Sequence, residues 1–122
     1  MKRIPSLSRP PREADPATFV LRATVQALLG RDDDLPIRVY RVDFEPGARM
    51  NWHRHDDVQI LYGLSGTCLV VRRGGEEARI GPGDLVVVEP HEEHWHGAPA
   101  DGPGAHLAIN LGDETVWLER SG

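Results

Sequence analysis

The sequence has little cysteine, a shortage of positive charge and no long apolar run. Its only cysteine, Cys68, cannot form an internal disulfide, so we expect a reducing compartment, the cytoplasm. Fourteen Lys and Arg against nineteen Asp and Glu give a net charge of −5, the wrong sign for a nucleic-acid-binding surface. No segment approaches the roughly 20 apolar residues that a membrane span needs. We therefore expect a single domain of 122 residues that binds neither nucleic acid nor membrane.

The chain divides into a short N-terminal segment and one domain. Residues 1–16 hold four prolines and four basic residues, with no apolar run after the positive start. This composition predicts an extended arm rather than a secretory signal, and the arm is either flexible or lies on a partner subunit. Residues 17–122 are expected to form the domain. Within it, residues 17–29 mix helical spacing with β-branched residues, and we favour an extended conformation there.

From residue 36 onward, short apolar segments alternate with breaks that contain glycine or proline. Tyr40, Val42 and Phe44 share one face of the first segment, PIRVYRVDF. The segments that follow are QILYGL, TCLVVR, EARI, DLVVVEP, AHLAINL and ETVWLE. The predicted breaks are residues 64–66, 73–75, 81–83 and 101–104. Many short strands at this spacing predict an all-β fold, either an antiparallel sandwich or a small barrel.

All six histidines lie between His53 and His106. His53 and His55 occupy alternate positions of a predicted strand, so their imidazoles project from one face and can bind one metal ion. Gln59 follows at the same parity and offers an amide oxygen as a third ligand. His94 is the candidate fourth ligand. Imidazole and amide-oxygen ligands suit Mn, Fe, Ni, Zn and Co, and the pattern does not choose among these metals.

One other residue could replace a ligand of this set, and one other kind of metal site is excluded. The carboxylate of Asp57 shares the parity of His55 and is an alternative to Gln59 as a ligand. The segment HEEH at residues 91–94 lacks the His-Glu-x-x-His spacing of a zinc-protease helix and follows a proline, which excludes that kind of site. His91 is therefore expected in a solvated turn.

A second group of polar residues is expected to line a pocket beside the metal. His96 follows the predicted ligands at the same parity, and His106 and Asn110 share one face of AHLAIN. Tyr40 is expected to line the cavity from the other side. Histidine titrates near neutral pH, so His96 and His106 are the candidate general acid and base. The alternative is that His106 and Asn110 only form hydrogen bonds inside the fold or face the opposite way. The tryptophans are expected to pack in the core or at an interface: Trp52, Trp95 and Trp117.

The spacing of these residues resembles the motifs of the cupin superfamily. The first motif is matched by Gly47, His53, His55, Gln59 and Gly66. Cupins usually have glutamate at the position of Gln59. Residues 83–90, followed by His94, resemble the second motif, and with the surrounding strands the match covers residues 36–118. The resemblance implies a cupin double-stranded β-barrel of the jelly-roll type, with a metal inside its wider mouth.

Within the cupins, the chain resembles the small bacterial manganese-type cupins with hydroxynitrile lyase activity. The resemblance lies in residues 44–49, 53–59, 94–98 and 106–109. It implies one divalent metal, manganese before the others, held by His53, His55, Gln59 and His94. It also implies that pocket residues beside a small-molecule substrate carry the reaction: His96, His106, Tyr40 and Asn110. Cupin barrels commonly pair, so a homodimer is expected.

These residues predict a small-molecule metalloenzyme that combines Lewis-acid chemistry with histidine acid–base chemistry. Histidine and glutamine ligands are uncharged, so a divalent ion keeps its full charge and can acidify a bound hydroxyl. A carbon–carbon lyase of the hydroxynitrile lyase type is the predicted activity. The alternatives are a metal-dependent dioxygenase, which a carboxylate ligand would have favoured, and a non-catalytic cupin that binds a small ligand.

Overall fold

Antiparallel strands of alternating apolar and polar residues make up most of the fold. The computed structural model describes residues 1–122 and contains thirteen strands. Their bounds are β1 Arg12–Glu13, β2 Phe19–Val20, β3 Ala23–Leu29, β4 Arg38–Phe44, β5 Arg49–Met50, β6 His53–His55, β7 Gln59–Gly66, β8 Cys68–Arg72, β9 Glu77–Ile80, β10 Leu85–Val88, β11 His94–Gly97, β12 Gly104–Asn110 and β13 Thr115–Trp117. Two 3-10 turns cover Ser6–Ser8 and Arg31–Asp33. None of the helical segments has the length and apolar character that crossing a membrane requires.

The strands form two antiparallel sheets. The first sheet has the order β1-β3-β4-β12-β7-β10, and the second has the order β13-β6-β11-β5-β2 with β8 and β9 joined to it through β11. The inward faces of both sheets meet in a shared interior. The predicted all-β fold is therefore confirmed, and each of the predicted strand segments contains a strand.

The prediction that a strand ends at residues 64–66 is wrong. Strand β7 continues through Gly66, and the ladder with β12 shifts register there, because Ser65 pairs with Ala105 whereas Gly63 pairs with His106. The extra residue is a β-bulge, a feature that glycine within a strand pattern also indicates. The bulge lies beside His106 and therefore helps to set the position of that side chain.

The N-terminal segment packs against strands of the same chain and contains one 3-10 turn, at Ser6–Ser8. Strand β1 pairs with β3, and the Arg9 guanidinium donates hydrogen bonds to both Asp33 carboxylate oxygens at 2.6 and 2.8 Å. The Gly30 N–H donates to the same carboxylate at 2.7 Å. These donors hold the pKa of Asp33 well below its usual range, the Arg9 hydrogen bond contributing most. The division into an arm and one domain stays a prediction.

The interior contains an apolar region and a polar region. Side chains such as Phe44, Leu61, Val70 and Ile80 form the apolar region between the sheets. Cys68 belongs to it, and burial raises the pKa of its thiol to about 12, so the thiol is packed and unreactive. The polar region is lined by histidine side chains. A cluster of imidazoles in a fold interior requires a chemical reason, because buried polar groups are costly unless they are partnered.

Candidate metal centre and substrate pocket

Five donor side chains converge in the polar region of the interior. Strand β6 contributes His53 and His55, strand β11 contributes His94 and His96, and strand β7 contributes Gln59. The alternation along each strand turns both histidines of a pair inward, and all five residues are buried. His53 and His94 are directly paired in the ladder between β6 and β11, so their rings lie only 4.3 Å apart, centroid to centroid.

A three-histidine cluster meets the geometric requirement for a metal site. One ring nitrogen from each of His53, His94 and His96 lies within 4.8 Å of the other two. The Nδ1 of His53 lies 2.8 Å from the Asn51 carbonyl, which can only accept, so the proton is on Nδ1 and Nε2 has a free lone pair. The Nε2 atoms of His53, His55 and His96 are all buried without a hydrogen-bond partner. The buried lone pair of the His53 Nε2 is what a cation would satisfy.

The contact between Gln59 and His94 fits a cation better than a hydrogen bond. The Nε2 of Gln59 donates to the Asn110 Oδ1 at 2.8 Å, which turns the Oε1 of Gln59 toward the Nε2 of His94 at 3.0 Å. The Nδ1 of His94 donates to the Glu92 carbonyl at 2.9 Å, so the Nε2 of His94 also has a lone pair. Two lone pairs therefore face each other. Rotating both amides would place an N–H opposite His94, so the orientation in the structure is the one that suits a cation.

The distance between these two atoms also fits a shared ion. Nitrogen and oxygen ligands lie about 2.1 Å from a first-row divalent metal, so two ligands at right angles are about 3.0 Å apart. The Nε2 of His94 and the Oε1 of Gln59 are 3.0 Å apart. The residues present therefore fit a divalent metal. This fit rests on the hydrogen bonds that orient the Gln59 and His94 side chains.

His55 completes the inward-facing donors, and Asp57 does not join them. Thr115 pairs with His55 in the ladder between β6 and β13, and its hydroxyl lies 3.1 Å from the Nδ1 of His55. The alternative ligand Asp57 is exposed and accepts the backbone N–H of Val58 at 2.7 Å. Its turn position directs it away from the interior. His91 is exposed in a turn with left-handed backbone (φ 65°), which agrees with the predicted solvated turn.

His96 and His106 form a hydrogen-bonded pair behind the cluster. The Nδ1 of His96 lies 2.8 Å from the Nε2 of His106, so one ring donates a proton to the other. His96 lines the cavity and its Nε2 has no hydrogen-bond partner, whereas His106 is absent from the cavity wall. Phe44 packs edge-on against His106, with ring centroids 5.4 Å apart. The two histidines are thus brought together, but only one of them can touch a ligand.

Burial keeps the histidines neutral. Desolvation is the largest cause of the lowered pKa at each of the five buried rings. It lowers the pKa of His106 to about 4, and together with the electrostatic effects of the neighbouring His94 and Arg38 it lowers the pKa of His55 to about 4. The pKa values of His53 and His96 are lowered well below the ordinary value. Neutral imidazole is the form that binds metals and accepts protons.

A cavity of about 330 Å³ opens onto the histidines. Tyr40 and Val42 of β4 line it from the first sheet, together with Asn110, whose side chain also orients Gln59. All four predicted pocket residues therefore lie at or next to the cavity, with His106 one side chain removed from it. The volume is at the lower end for small-molecule sites, which suits a small substrate.

Two kinds of cavity residue escaped the sequence-based prediction. Trp117 was expected to pack in the core or at an interface, but it lines the cavity and lies against His53, with ring centroids 4.8 Å apart. Its place follows from the pairing of Trp117 with His53 between β13 and β6, which no local pattern specifies. Arg31 and Arg38 also line the cavity. The odd–even alternation along β4 could have identified Arg38, because it shares the face of Tyr40.

Comparisons with known proteins agree with this description. Residues 40–116 match Cupin_2, the cupin domain. The chain is 36% identical over 122 residues to an (R)-mandelonitrile lyase from Granulicella tundricola, covering 98% of this chain and 92% of that relative. A cupin-like protein from Thermotoga maritima has a TM-score of 0.84 at 32% identity, covering 90% and 86% of the two chains. The polyketide cyclase RemF from Streptomyces resistomycificus shares the fold, with a TM-score of 0.73 at 18% identity over 100% of this chain and 82% of that one.

Proposed function

Since this chain belongs to the cupin domain family, we propose that it is a metal-dependent carbon–carbon lyase of the hydroxynitrile lyase type. The observation that carries the proposal is the pairing of uncharged inward-facing donors with the His96–His106 hydrogen bond. The likeness to an (R)-mandelonitrile lyase over nearly the full chain supports the reaction class.

The proposed metal ligands are His53, His55, Gln59 and His94. His53 and His94 belong to the three-histidine cluster, and Gln59 lies at ligand distance from His94. We assign the third histidine of that cluster, His96, to proton transfer, because its Nδ1 partner is a second imidazole that can share a proton. The Nδ1 atoms of the proposed histidine ligands are instead bonded to carbonyl or hydroxyl oxygens. All four ligands are neutral, so the site favours a redox-inactive role of the metal, and manganese is the proposed ion. When bound, it would act as a Lewis acid that lowers the pKa of the substrate hydroxyl.

The proton route follows from the His96–His106 pair. The Nε2 of His96 takes the proton of the substrate hydroxyl, and the Nδ1 proton of His96 is shared with the Nε2 of His106. The O–H electron pair forms the carbonyl as the carbon–carbon bond breaks, and that bond's electrons leave with cyanide. Of the pair, His96 lies on the cavity wall and His106 does not, so His96 also returns the proton to cyanide. His106 is a positioning residue that holds the His96 tautomer and disperses the charge.

Asn110 orients the proposed metal ligand Gln59, and Tyr40 limits the size of the substrate. Asn110 is opposite Gln59 in the β12–β7 ladder, and its acceptor keeps the Gln59 oxygen directed inward. Second partners of this kind orient metal ligands. Tyr40 lines the cavity with its ring and narrows the space for the substituent on the hydroxyl-bearing carbon. The substrate is therefore proposed to be small.

We also propose a homodimer in which the β10 edge of the first sheet pairs with the same edge of a second copy, beside the apolar outer face of that sheet. Apolar side chains project there in two rows across adjacent strands: Leu85, Tyr62 and Leu107 in one row, and Val87, Ile60, Ile109 and Val39 in the other. Strand β10 is one of the two edges of this sheet, and it presents exposed Leu85 and Val87. A free edge beside an apolar face tends to pair with another chain, and a second copy can extend the sheet about a two-fold axis.

The test of the function combines metal content with cleavage of mandelonitrile. Protein purified without added metal is analysed by elemental mass spectrometry, and benzaldehyde release is followed by absorbance after reconstitution with Mn²⁺. His53→Ala should lose both metal and cleavage. His106→Ala should keep metal and lose about 10²-fold or more of the rate. His91→Ala, an exposed histidine, is the control and should match the wild type.

Three outcomes would overturn the proposal. Oxygen uptake by an iron-loaded protein that does not cleave mandelonitrile would establish a dioxygenase. Metal binding without either activity would leave a ligand-binding cupin. If His106→Ala has the turnover of the wild type, the hydrogen bond between His96 and His106 has no part in proton transfer.

A further inference from the structure

The cavity contains a buried arginine without a carboxylate partner, and we propose that Arg38 binds a carboxylate group of the substrate. This inference rests on the proposed function, which places the substrate in this cavity. It adds that the substrate carries a negative charge. The natural substrate is accordingly an anionic hydroxy compound. The neutral cyanohydrins used to assay this reaction class lack that charge.

Arg38 is held in place by a single backbone acceptor. Its Nε and Nη2 both donate to the Gly112 carbonyl, at 3.1 and 2.9 Å, and its Nη1 donates to no protein group. Arg38 is only 6% exposed. A charged guanidinium at this burial is costly without an anion, and native structures pair such groups. No Asp or Glu lies within salt-bridge distance of Arg38, although other arginines of the chain are paired.

The cavity around Arg38 has only positive charge. The chain contains nineteen acidic residues, and none of them is among the fifteen residues that line the cavity. Arg31 adds a second guanidinium at the exposed mouth, where it donates to the Asp113 carbonyl. The charge of Arg38 reaches the donors, since it is one of the causes that lower the pKa of His55. Asp56 also acts on His55, but it lies in an exposed turn and accepts the Glu114 N–H outside the cavity.

A carboxylate is the anion that this arrangement suits. The planar guanidinium fork matches a carboxylate, and one unused nitrogen in a buried site gives a charge-assisted hydrogen bond. A cavity of about 330 Å³ accommodates a small hydroxy acid, with its hydroxyl toward the histidines and its carboxylate toward Arg38. A nitrile or an aldehyde alone would leave the arginine buried without a counter-charge.

The test measures binding rather than turnover, so that it stands apart from the lyase assay. Mn²⁺-loaded protein is titrated by isothermal calorimetry with lactate and with 3-hydroxybutyrate, each against its uncharged amide. We expect at least one acid to bind about 10- to 100-fold more tightly than its amide, the range of one charge-assisted hydrogen bond. Arg38→Gln should lose that preference, and Arg38→Lys should retain part of it. Arg41→Gln is the matched control, because Arg41 lies on the same strand, faces outward and pairs with Asp43.

Each result decides the proposal. A preference that Arg38→Gln retains would show that the metal alone binds the carboxylate, and this would overturn it. Equal binding of acids and amides by the wild type would do the same. Cyanide binding that weakens in Arg38→Gln, while the preference for acids is unchanged, would assign Arg38 to the leaving anion instead. Metal content and melting temperature are measured for every variant, and if Arg38→Gln does not fold, the comparison of Arg38→Lys with the wild type decides. Failure to bind any metal would refute the proposed function and is distinguishable from all of these.

Discussion

The ligand assignment can be tested by the stabilisation that a metal confers on two histidine variants. His55 and His96 both have a buried Nε2 without a partner, yet we assign only His55 to the metal. A ligand that binds only the folded state at 100 times its Kd stabilises it by about 2.7 kcal/mol. For a domain of this size, 1 kcal/mol shifts the melting temperature by about 4 °C, so saturating Mn²⁺ should raise it by about 10 °C.

The two variants separate the candidate ligand sets. Loss of one of four ligands should weaken the metal by about 100-fold or more, beyond the 10- to 100-fold typical of groups that only orient a ligand. If the wild type is measured at 100 times its Kd for Mn²⁺, the same Mn²⁺ concentration equals the Kd of His55→Ala. The stabilisation of that variant by the metal then falls to about 0.4 kcal/mol, and the shift in melting temperature falls to about 2 °C. His96→Ala should keep a shift of about 10 °C and lose mandelonitrile cleavage.

The measurement is differential scanning fluorimetry of apoprotein with increasing Mn²⁺, repeated with Fe²⁺, Ni²⁺, Zn²⁺ and Co²⁺. His91→Ala is the control for removing an imidazole from the exposed surface. If His96→Ala loses the shift while His55→Ala keeps it, the metal is held by the three-histidine cluster and the proton-transfer role of His96 is wrong. If the wild type shifts with none of the five metals, the site is not a metal centre.

Three further predictions concern the orientation of the amide ligand, the arm and the outer face. Asn110→Leu removes the acceptor that orients Gln59 and should weaken Mn²⁺ binding by about 10- to 100-fold in a fluorescence titration, whereas Asn110→Asp keeps an acceptor. Asp33→Asn should release the arm and speed tryptic cleavage after Arg12 at neutral pH. Because the folded pKa of Asp33 is lowered, its contribution in the wild type is present above the ordinary carboxyl pKa and is lost only as the pH falls through the lower folded value. Leu85→Glu should convert a dimer into a monomer in analytical ultracentrifugation.

Each of these predictions has a matched comparison. Unchanged Mn²⁺ affinity in Asn110→Leu would mean that Gln59 is oriented by packing alone. Equal cleavage rates for Asp33→Asn and the wild type would mean that the strand pairing of the arm suffices. Leu35→Glu, at an exposed leucine outside the apolar face, should leave the oligomeric state unchanged, and a monomeric wild type would contradict the proposed dimer.

The parts of the site that follow from strand alternation could be predicted from the sequence. Parity along β6 and β11 predicts that both histidines of each strand face inward, as they do, and the spacing of residues 53–59 and 83–94 indicates the candidate ligands. Contacts between distant strands could not be predicted in this way. The register that brings Asn110 opposite Gln59 depends on how β12 and β7 pack together, and local patterns do not fix it.

The histidine pair shows the same limit. Parity placed His96 and His106 on inward faces but not within hydrogen-bond distance of each other. A bulge beside His106, which the sequence suggested only as a break, determines how that strand meets its neighbour. The same is true of Trp117, whose position over His53 follows from a ladder between strands far apart in the chain.

The charges of the site divide its expected work between binding and catalysis. A carboxylate on the substrate is charged before and after the reaction, so Arg38 binds ground state and transition state alike and its loss should raise KM more than it lowers kcat. The negative charge on the substrate oxygen develops only as the proton leaves, and groups aimed at it act on kcat. Loss of His106 should therefore lower kcat with KM unchanged. The same substrate, assayed with both variants, would show whether the buried guanidinium and the histidine pair serve these separate steps.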